Sequence, residues 1–510
     1  MLKGCAIAVI LLSMLAAAQH HDVRRYGAKG DGKTKDTAAV EAAIGAAAKE
    51  GGAVFFPPGT YLCGTIHLKS GVALELSAGA VIAASPDEAD FEPYEKLPFP
   101  PVDDRETTYS HYALLLGDGV SDVVISGTGV IDGNRSKRGG PKPVAFKNSQ
   151  RIAIRNVTVR NSPNYAISLL GCDHVSIEGV SIINSYADGI DPDCSRFVRI
   201  ANCYVDSHDD AICPKASQAL GSPRPTEHLT VTNCILRTDC NAIKFGTESR
   251  GDFRNVTISN CVILPRDRGI RPISGVSLES VDGSNIEGVS VSNLVMRQVR
   301  APLFIRLGNR GRGMNPPVPG SARGIIISNV IAVDATHTSN VVGIPGHRVR
   351  DVVLENLDFT MAGGGVFTGL NVPEHEAKYP EATMFGELPA WTLYARHVEG
   401  LVVRNLRARV MQPTNRPALV FDDVLDAELD GFRPESASAE NAVVWFHEVI
   451  GALVRGVRLK TTVPLFLRVS GEQSASIVLA GNDLGAAARR FELAAGAPAD
   501  AVRDAGSPGR

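Results

Sequence analysis

The segment "VRIANCYVDS", residues 198–207, alternates apolar and polar side chains along its length. Such a period of two is typical of a β-strand that buries one face. Similar segments are "VSIEGVSIIN" at 175–184, "LTVTNCILRT" at 229–238 and "VTISNCVILP" at 256–265. The copies start 23, 31 and 27 residues apart, and this spacing indicates a solenoid. Because no helical pattern separates these strands, we predict an all-β fold, a parallel β-helix whose coils must stack to bury their apolar faces.

An asparagine followed by a cysteine recurs at one corner of three of these coils. We expect the asparagines to form a stacked amide ladder inside the turn. A ladder of small buried thiols is the favoured reading of the cysteines, because free cysteine is often buried. Disulfides remain the alternative, since an exported chain can form them. The pairs are Asn202–Cys203, Asn233–Cys234 and Asn260–Cys261.

The ends of the 510-residue chain differ from its repetitive middle. Residues 1–18 contain Lys3 and a short apolar core followed by small residues, which predicts a cleaved signal peptide and a secreted or periplasmic protein. The segment "DTAAVEAAIGAAAKEGG" at 36–52 predicts a helix that caps the solenoid, with an N-cap at Asp36 or Thr37. We therefore predict one β-helix domain over residues 19–490 and a disordered tail over 491–510.

Composition and motifs give no indication of nucleic acid, a membrane span or zinc as partners of this chain. A net charge of −3 gives no indication of nucleic-acid binding. No stretch after the signal peptide is long and apolar enough to span a membrane, and no CxxC pair indicates zinc. We expect a monomer without cofactor or bound metal.

A four-residue slot follows five successive strands. Its small residue and isoleucine are assigned to the turn and the core, whereas its flanking positions vary and are expected to face outward. Because stacked coils lie about 4.8 Å apart, the slots build one column: tyrosine, aspartate, aspartate, asparagine and arginine. The slots are Tyr165–Ser168, Asp188–Asp191, Asp210–Cys213, Asn241–Lys244 and Arg268–Arg271.

Carboxylates gather on two neighbouring coils of this column. Mutual repulsion raises the pKa of some of them, so that one carboxylic acid stays protonated beside an ionised neighbour. Glycosidic cleavage needs such a pair, an acid for the leaving oxygen and a base for water. A calcium site and a solvated acidic rim are the alternatives, and the nearby cations Lys215, Lys244 and Arg271 favour a functional site. The carboxylates are Asp188, Asp191, Asp193, Asp209 and Asp210.

At these residues the chain resembles the polygalacturonase-like glycoside hydrolases of family 28. "VRRYGAKGDGKTKDTAAVEAAI" resembles the N-terminal cap of that superfamily, and "GTGVIDGN" at 127–134 resembles an early coil. "YADGIDPD" is similar to the Asn-Thr-Asp motif of the family and "DSHDDAICPKAS" to its Asp-Asp motif. The resemblance covers about residues 22–480 and implies a right-handed, pectin-lyase-type β-helix acting on an acidic plant-type polysaccharide.

The resemblance implies a role for each aspartate by position. Asp209 matches the general acid of the family, and Asp188 and Asp210 match the residues that activate water. Single displacement with inversion follows, for which the acid and the base stand about 6.5–9.5 Å apart.

Departures from the family affect the substrate-binding residues. The Gly-His-Gly motif is replaced by Cys240-Asn241-Ala242, and Arg-Ile-Lys by Arg271-Pro272-Ile273. We expect Asn241, Lys244 and Arg271 to line the groove, with Lys215 nearby and His208 partly replacing the lost histidine. The rearranged basic set favours a related or decorated acidic glycan over ordinary homogalacturonan.

Two later segments are candidates for substrate contacts. Arg306, in "APLFIRLGNRGRG" at 301–313, can bind an anionic sugar or lie in a solvated glycine-rich turn. The insertion at 371–391 can close the groove and favour exo action, or merely cover the coil edges. A polysaccharide lyase and a non-catalytic glycan-binding β-helix remain the alternative functions.

Overall fold

The computed structural model describes residues 20–267, 269–435 and 441–506. Within them the chain forms a right-handed parallel β-helix, and the paired strands run parallel to one another. This confirms the predicted fold class. The predicted signal peptide, residues 1–18, lies outside the described residues.

Three faces of strands run along the solenoid. The face that carries the aspartates, here called the site face, begins near the N-terminus and passes through every later coil. Its strands are Ile66–His67, Ala113–Asp118, Lys142–Lys147, Ile167–Leu170, Ile190–Asp193, Asn241–Phe245, Ser274–Ser280, Ala301–Leu307, Ser339–Val342, Val463–Ser470 and Ala487–Leu493.

The second face holds the repeats that open the sequence, and the third face follows it in each coil. Strands of the second face are His20–Asp22, Ala53–Phe56, Ala73–Leu76, Ser121–Gly127, Gln150–Arg155, Asp173–Glu178, Arg196–Ala201, Thr226–Thr232, Ala475–Ala480 and Val502–Asp504. Strands of the third face are Asp31–Lys35, Gly59–Cys63, Ala80–Ala84, Val130–Asp132, Thr158–Arg160, Ser181–Ser185, Tyr204–Ser207, Ile235–Thr238 and Arg433–Glu435.

Longer strands of the C-terminal half turn corners and contribute to two faces or, in the case of Leu393–Gln412, to all three. They are Phe253–Pro265, Asn285–Arg297, Ser321–Ala335, Val349–Gly363, Leu393–Gln412, Leu419–Asp430 and Ala442–Arg455.

The core is a column of apolar side chains along the solenoid axis. Val175, Val198, Leu229 and Val256 stack in register on the second face, and each is at most 1% exposed. Their spacing reproduces the repeat read from the sequence. One continuous hydrophobic cluster therefore joins coils that could not bury an apolar face alone.

The asparagine ladder lies on the outside of a turn. Asn202, Asn233 and Asn260 adopt left-handed backbone conformations with φ between 57° and 58°, which asparagine tolerates better than most residues. Asn233 Nδ2 donates to Asn202 Oδ1 at 3.3 Å. These side chains are exposed, which corrects the expectation that the ladder lies inside the turn.

The cysteines beside that ladder point inward. Cys203, Cys234 and Cys261 are at most 2% exposed and lie at the start of successive third-face segments. The cysteines of the described residues are free thiols. The reading of a buried thiol ladder is confirmed, and disulfides are not formed there.

A helix closes the N-terminal end of the solenoid. Helix Thr37–Glu50 buries Val40, Ala43, Ile44 and Ala47 and ends at Gly51, whose φ is 80°. Asp36 stands at the N-cap position, but its carboxylate accepts hydrogen bonds from the backbone of residues 29 and 30.

The remaining helices are short. They are the α-helix Arg105–Thr108 and the 3-10 segments Val23–Tyr26 and Glu88–Asp90. Among the described residues, neither α-helix has the length and apolar character needed to cross a bilayer.

The C-terminal segment differs from the prediction of a disordered tail over 491–510. The strand Ala487–Leu493 pairs with Val463–Ser470, and Val502–Asp504 pairs with Ala475–Ala480. These short strands obtain their partners from earlier coils, which a local reading of the sequence does not show. Residues 507–510 of the predicted tail lie outside the described residues.

Candidate active site

Four of the five predicted slots stack in register on the site face. Ile167 pairs with Ile190, Ile190 with Ile212, and Ile212 with Ile243. These isoleucines are fully buried, as expected for the inward position of each slot. The register places Tyr165, Asp188, Asp210 and Asn241 in one column, two residues before each isoleucine.

The position predicted from the sequence for the fifth slot is wrong. Ile243 pairs with Val276, so the slot of that coil is Ser274–Ser277 and the assignment to residues 268–271 is wrong. Arg268 itself lies outside the described residues. Ile270 is 43% exposed and belongs to the loop before the strand. The loop makes this coil longer than its neighbours, and its Gly269-Ile270 pair matched the small residue and isoleucine of the slot by chance. Arg271 Nη2 donates to Asp334 Oδ2 at 2.8 Å instead of joining the column.

The aspartates of two neighbouring coils converge. Oxygens of Asp188 and Asp210 lie within 4.8 Å of each other, as do oxygens of Asp209 and Asp210. The side chain of Asp209 is 25% exposed, whereas Asp188 and Asp210 are buried. Asp209 is therefore the carboxylate of this trio that meets solvent.

Lys215 lies beneath the aspartates as their counter-ion. Its Nζ is 2.8 Å from Asp188 Oδ2 and 3.5 Å from Asp191 Oδ1, and its side chain is 3% exposed. The ammonium also lies 4.7 Å from the centre of the Tyr165 ring, a cation–π contact. This burial leaves Lys215 little surface for a sugar, in contrast to the substrate-binding position expected from the sequence.

Burial and mutual repulsion raise the proton affinity of the inner aspartates. Burial raises the pKa of Asp188 well above its usual value, although Lys215 opposes the shift. Burial likewise raises the pKa of Asp191 to about 7. Neither oxygen of Asp191 has a hydrogen-bond partner. As predicted, some carboxyl groups on these coils have raised pKa values and therefore bind a proton more tightly than an ordinary aspartate.

Asp209 has the opposite electrostatic environment. Burial raises its pKa, but the Arg138 guanidinium outweighs this effect and holds the pKa of Asp209 below its usual value. Arg138 Nη1 donates to Asp209 Oδ2, and Arg138 Nε donates to Glu106 Oε1 at 3.0 Å. The guanidinium thus bridges two carboxylates at the mouth of the site.

The next coil adds a second buried ammonium and a loop that covers it. Lys244 Nζ lies 3.5 Å from Asp210 Oδ2 and 3.2 Å from Glu381 Oε1. Asn241 Nδ2 donates to Asp210 Oδ1 at 2.9 Å. Tyr379 Oη is 3.3 Å from Lys244 Nζ. The loop at 364–392 therefore reaches back to the coil beside the aspartates.

Two other sequence-predicted residues occupy different environments. Nδ1 of His208 lies 3.1 Å from Asp239 Oδ2, and the ring stacks on Tyr186 at 5.0 Å. Arg306 is fully buried and donates to the backbone oxygens of Gly343 and Glu374. Arg306 thus anchors the 364–392 loop, which corrects its expected role in binding a sugar.

Two sets of acidic and thiol groups could in principle hold a cation. One contains Asp188, Asp210 and Cys213, and the other contains Asp209, Asp210 and Cys240. Lys215 Nζ is 2.9 Å from Cys213 Sγ, so an ammonium takes the place of a metal ion in the first set. The donor chemistry of the first set therefore fits an internal ion-pair network.

Sequence reasoning missed Arg138, Glu106, Tyr379 and Glu381 as members of this site. Arg138 follows the recognised "GTGVIDGN" segment within a basic, glycine-rich loop, which was the available signal. Tyr379 and Glu381 lie in the insertion already singled out for its length. The coil that a loop covers depends on the path of the loop in three dimensions. The repeat in the sequence therefore could not show that Tyr379 and Glu381 lie beside the aspartates.

Two family profiles match separate parts of the chain. The sequence profile of the glycosyl hydrolases family 28 matches residues 101–376, more than half of the chain. A second profile, described as rhamnogalacturonase A/epimerase, pectate lyase-like, matches residues 21–82.

Individual relatives are distant. The chain is 25% identical to a probable polygalacturonase of Vitis vinifera, over 71% of this chain and 78% of the relative. It is 24% identical to an exo-poly-alpha-D-galacturonosidase of Dickeya chrysanthemi, over 65% of each chain. The family 28 exopolygalacturonase structure of Yersinia enterocolitica matches with a TM-score of 0.59 and 20% identity, over 85% of this chain and 78% of that chain.

Proposed function

The chain belongs to glycosyl hydrolase family 28, and we propose that this glycosidase hydrolyses a pectic or related uronate-containing polysaccharide with inversion. The proposal depends chiefly on one observation. Asp188, Asp209 and Asp210 converge from adjacent coils, and Asp209 alone of the three is substantially open to solvent. The names of the relatives supply the substrate class, since the relatives are described as polygalacturonases.

Asp209 is the proposed general acid. Its exposed carboxyl group can reach the glycosidic oxygen, which takes the proton as the bond to the anomeric carbon breaks. Arg138 favours the ionised form of Asp209 in the free protein. The acid role therefore requires that the Arg138–Asp209 pair opens when substrate binds, which removes the largest influence that opposes burial and so raises the pKa of Asp209.

Asp210 and Asp188 are the proposed water-activating pair. Asp210 accepts hydrogen bonds from the backbone and side chain of Asn241 and has Lys244 as a cationic partner. We assign it the base that takes a proton from water as the oxygen attacks the anomeric carbon. An oxygen of Asp210 lies within 4.8 Å of an oxygen of Asp209, closer than the 6.5–9.5 Å of an inverting pair, so the Asp209 side chain must turn away from Asp210 when substrate binds to admit that water. Asp188, with its raised pKa, orients that water. The products are two shortened glycans, one with inverted anomeric configuration.

Exo action is the proposed mode, supported by the loop at 364–392. Tyr379 and Glu381 of this loop contact Lys244 on the coil after the acid pair. A covered groove on that side favours attack near a chain end. The apolar and small residues of segment 1–18 support the proposal that the protein is exported.

A product analysis tests the function. Purified protein is incubated with pectic oligosaccharides, and products are followed by reducing ends, mass spectrometry and NMR of the newly formed anomeric centre. We expect single sugars or short units released from one end with inverted configuration. Unsaturated products would identify a lyase, and intact substrate that is nevertheless bound would identify a glycan-binding protein.

A further inference from the structure

The cations that pair with the aspartate cluster differ sharply in exposure. Lys215 and Lys244 have side chains 3% and 1% exposed, and both neutralise buried carboxylates. Arg138, which pairs with Asp209, has a side chain 46% exposed. Of the ion-paired cations of this cluster in the described residues, Arg138 is therefore the one with surface to offer an anionic ligand.

Arg138 is held by groups that a ligand carboxylate can imitate. It lies in the loop at 133–141 and contacts Glu106 and Asp209, whose side chains are 22% and 25% exposed. A guanidinium binds planar carboxylates through two parallel hydrogen bonds. Because both present partners are accessible to water, a uronate carboxylate can replace one of them without leaving a buried charge unpaired.

The opposite approach to the aspartates carries a negative charge. Glu381, 21% exposed, lies beside Lys244 and receives a 3.4 Å hydrogen bond from Asn241 Nδ2. The Tyr379 ring, 53% exposed, lies 5.2 Å from Lys244 Nζ. A carboxylate repels a uronate but accepts hydrogen bonds from sugar hydroxyl groups, and an aromatic ring offers an apolar face with a polar tip.

We propose that Arg138 recognises the carboxylate of a uronate residue, whereas Glu381 restricts the neighbouring subsite to a neutral, hydroxyl-bearing sugar. The substrate class is then a glycan in which a uronate is joined to a neutral sugar at the cleaved bond. This inference rests on the proposed function and deepens it. It assigns specificity to two loops that approach the aspartates from opposite directions along the solenoid axis, one between strands Val130–Asp132 and Lys142–Lys147 and the other after Val349–Gly363.

Binding of a uronate to Arg138 also favours protonation of Asp209, the proposed general acid. In the free protein Arg138 stabilises the Asp209 carboxylate. A uronate that engages the guanidinium removes this stabilisation, while the burial that favours protonation persists. A uronate-bearing substrate thus promotes the protonated form of Asp209, and a neutral substrate of the same shape does not.

Binding of single sugars tests recognition separately from catalysis. Galacturonic acid and galactose are titrated by NMR into wild-type protein, Arg138→Gln and Lys137→Gln, the last an exposed neighbour in the same loop that serves as the charge control. We expect wild type and Lys137→Gln to prefer galacturonic acid, and Arg138→Gln to lose about ten- to hundredfold of that preference. Absence of this preference in wild type, or its survival in Arg138→Gln, overturns the inference.

Hydrolysis of two oligosaccharides tests the neutral subsite. One contains uronate residues throughout, and the other alternates uronate with neutral sugar. Wild type should have the higher kcat/KM on the alternating oligosaccharide, and Glu381→Gln should raise kcat/KM on the all-uronate oligosaccharide by about tenfold. Glu376→Gln, in the same loop, is the matched control for the loss of one negative charge.

The two hypotheses fail in different ways. If neither oligosaccharide is cleaved while galacturonic acid binding depends on Arg138, hydrolysis fails and the recognition by Arg138 stands. If both oligosaccharides are cleaved with equal kcat/KM and the Arg138 and Glu381 variants alter neither value, hydrolysis stands and the charge-specific subsites are refuted.

Discussion

Replacing Lys215 by methionine should destabilise the folded protein by about 3–5 kcal/mol, the usual cost of removing one partner from a buried ion pair. The structure shows that Lys215 is a member of a buried ion pair. Its Nζ is 2.8 Å from Asp188 and 3.5 Å from Asp191, and both carboxyl groups are nearly inaccessible to water. Methionine preserves most of the volume but leaves these aspartates without their cation.

Urea denaturation at neutral pH, followed by circular dichroism, measures the loss. The control is Arg151→Met, because Arg151 pairs with Asp122 on the surface, where both side chains are about half exposed, and its loss should change the free energy of unfolding far less. Adding Asp188→Asn to Lys215→Met removes a stranded charge and should recover part of the stability.

Kinetic measurements on the same variants show whether Lys215 acts as a counter-ion of the aspartates or binds substrate. If Lys215 supports the aspartates, Lys215→Met lowers kcat and stability together. Unchanged stability with a raised KM for uronate-containing substrates would refute this reasoning and restore the substrate-binding role predicted from the sequence.

Three further predictions concern the acid, the buried proton and metal ions. Asp209→Asn should lower kcat by about 10²–10⁴ with an unchanged melting temperature, and retention of most activity would exclude Asp209 as the general acid. The folded-state pKa of Asp191 is about 7 against an ordinary 3.8, so the folded state binds more protons in this window and stability falls as pH rises from about 4 to 7. Asp191→Asn should flatten that dependence in melting curves from pH 4 to pH 8, and equal slopes would contradict the assignment. EDTA should leave hydrolysis unchanged because Lys215 and Lys244 balance the carboxylates, whereas loss of activity restored by Ca²⁺ would show a metal requirement.

The sequence predicted the β-helix and most of its aspartate column because both depend on strict local periodicity. Val198, Leu229 and Val256 recur at the inward position of each coil, and the register of the strands follows from that pattern. The stacking of Asp188 and Asp210 follows from the same register. These features need no knowledge of the loops.

Predictions about the loops were less successful. The Arg268–Arg271 match was a coincidence of residue types in an irregular segment, and exposed Ile270 shows that it belongs to no strand. Arg306 was expected to bind an anionic sugar or to lie in a solvated turn, yet it is buried and bonded to a loop whose residues come some seventy positions later. Charge pairing across such distances in the chain is set by three-dimensional packing, so the sequence could not reveal that Arg138 meets Asp209.

Under the roles proposed above, the solenoid carries its catalytic residues and its specificity-determining residues on separate structural elements. The aspartates belong to coils fixed by strand register, whereas Arg138 and Glu381 are delivered by loops rooted in other coils and 243 positions apart in the chain. A loop can change length or sequence without shifting the register of the coil it serves. Exchange of the 133–141 or 364–392 segment between homologous chains is therefore a modular route to new substrate preference, with the hydrolytic apparatus left untouched.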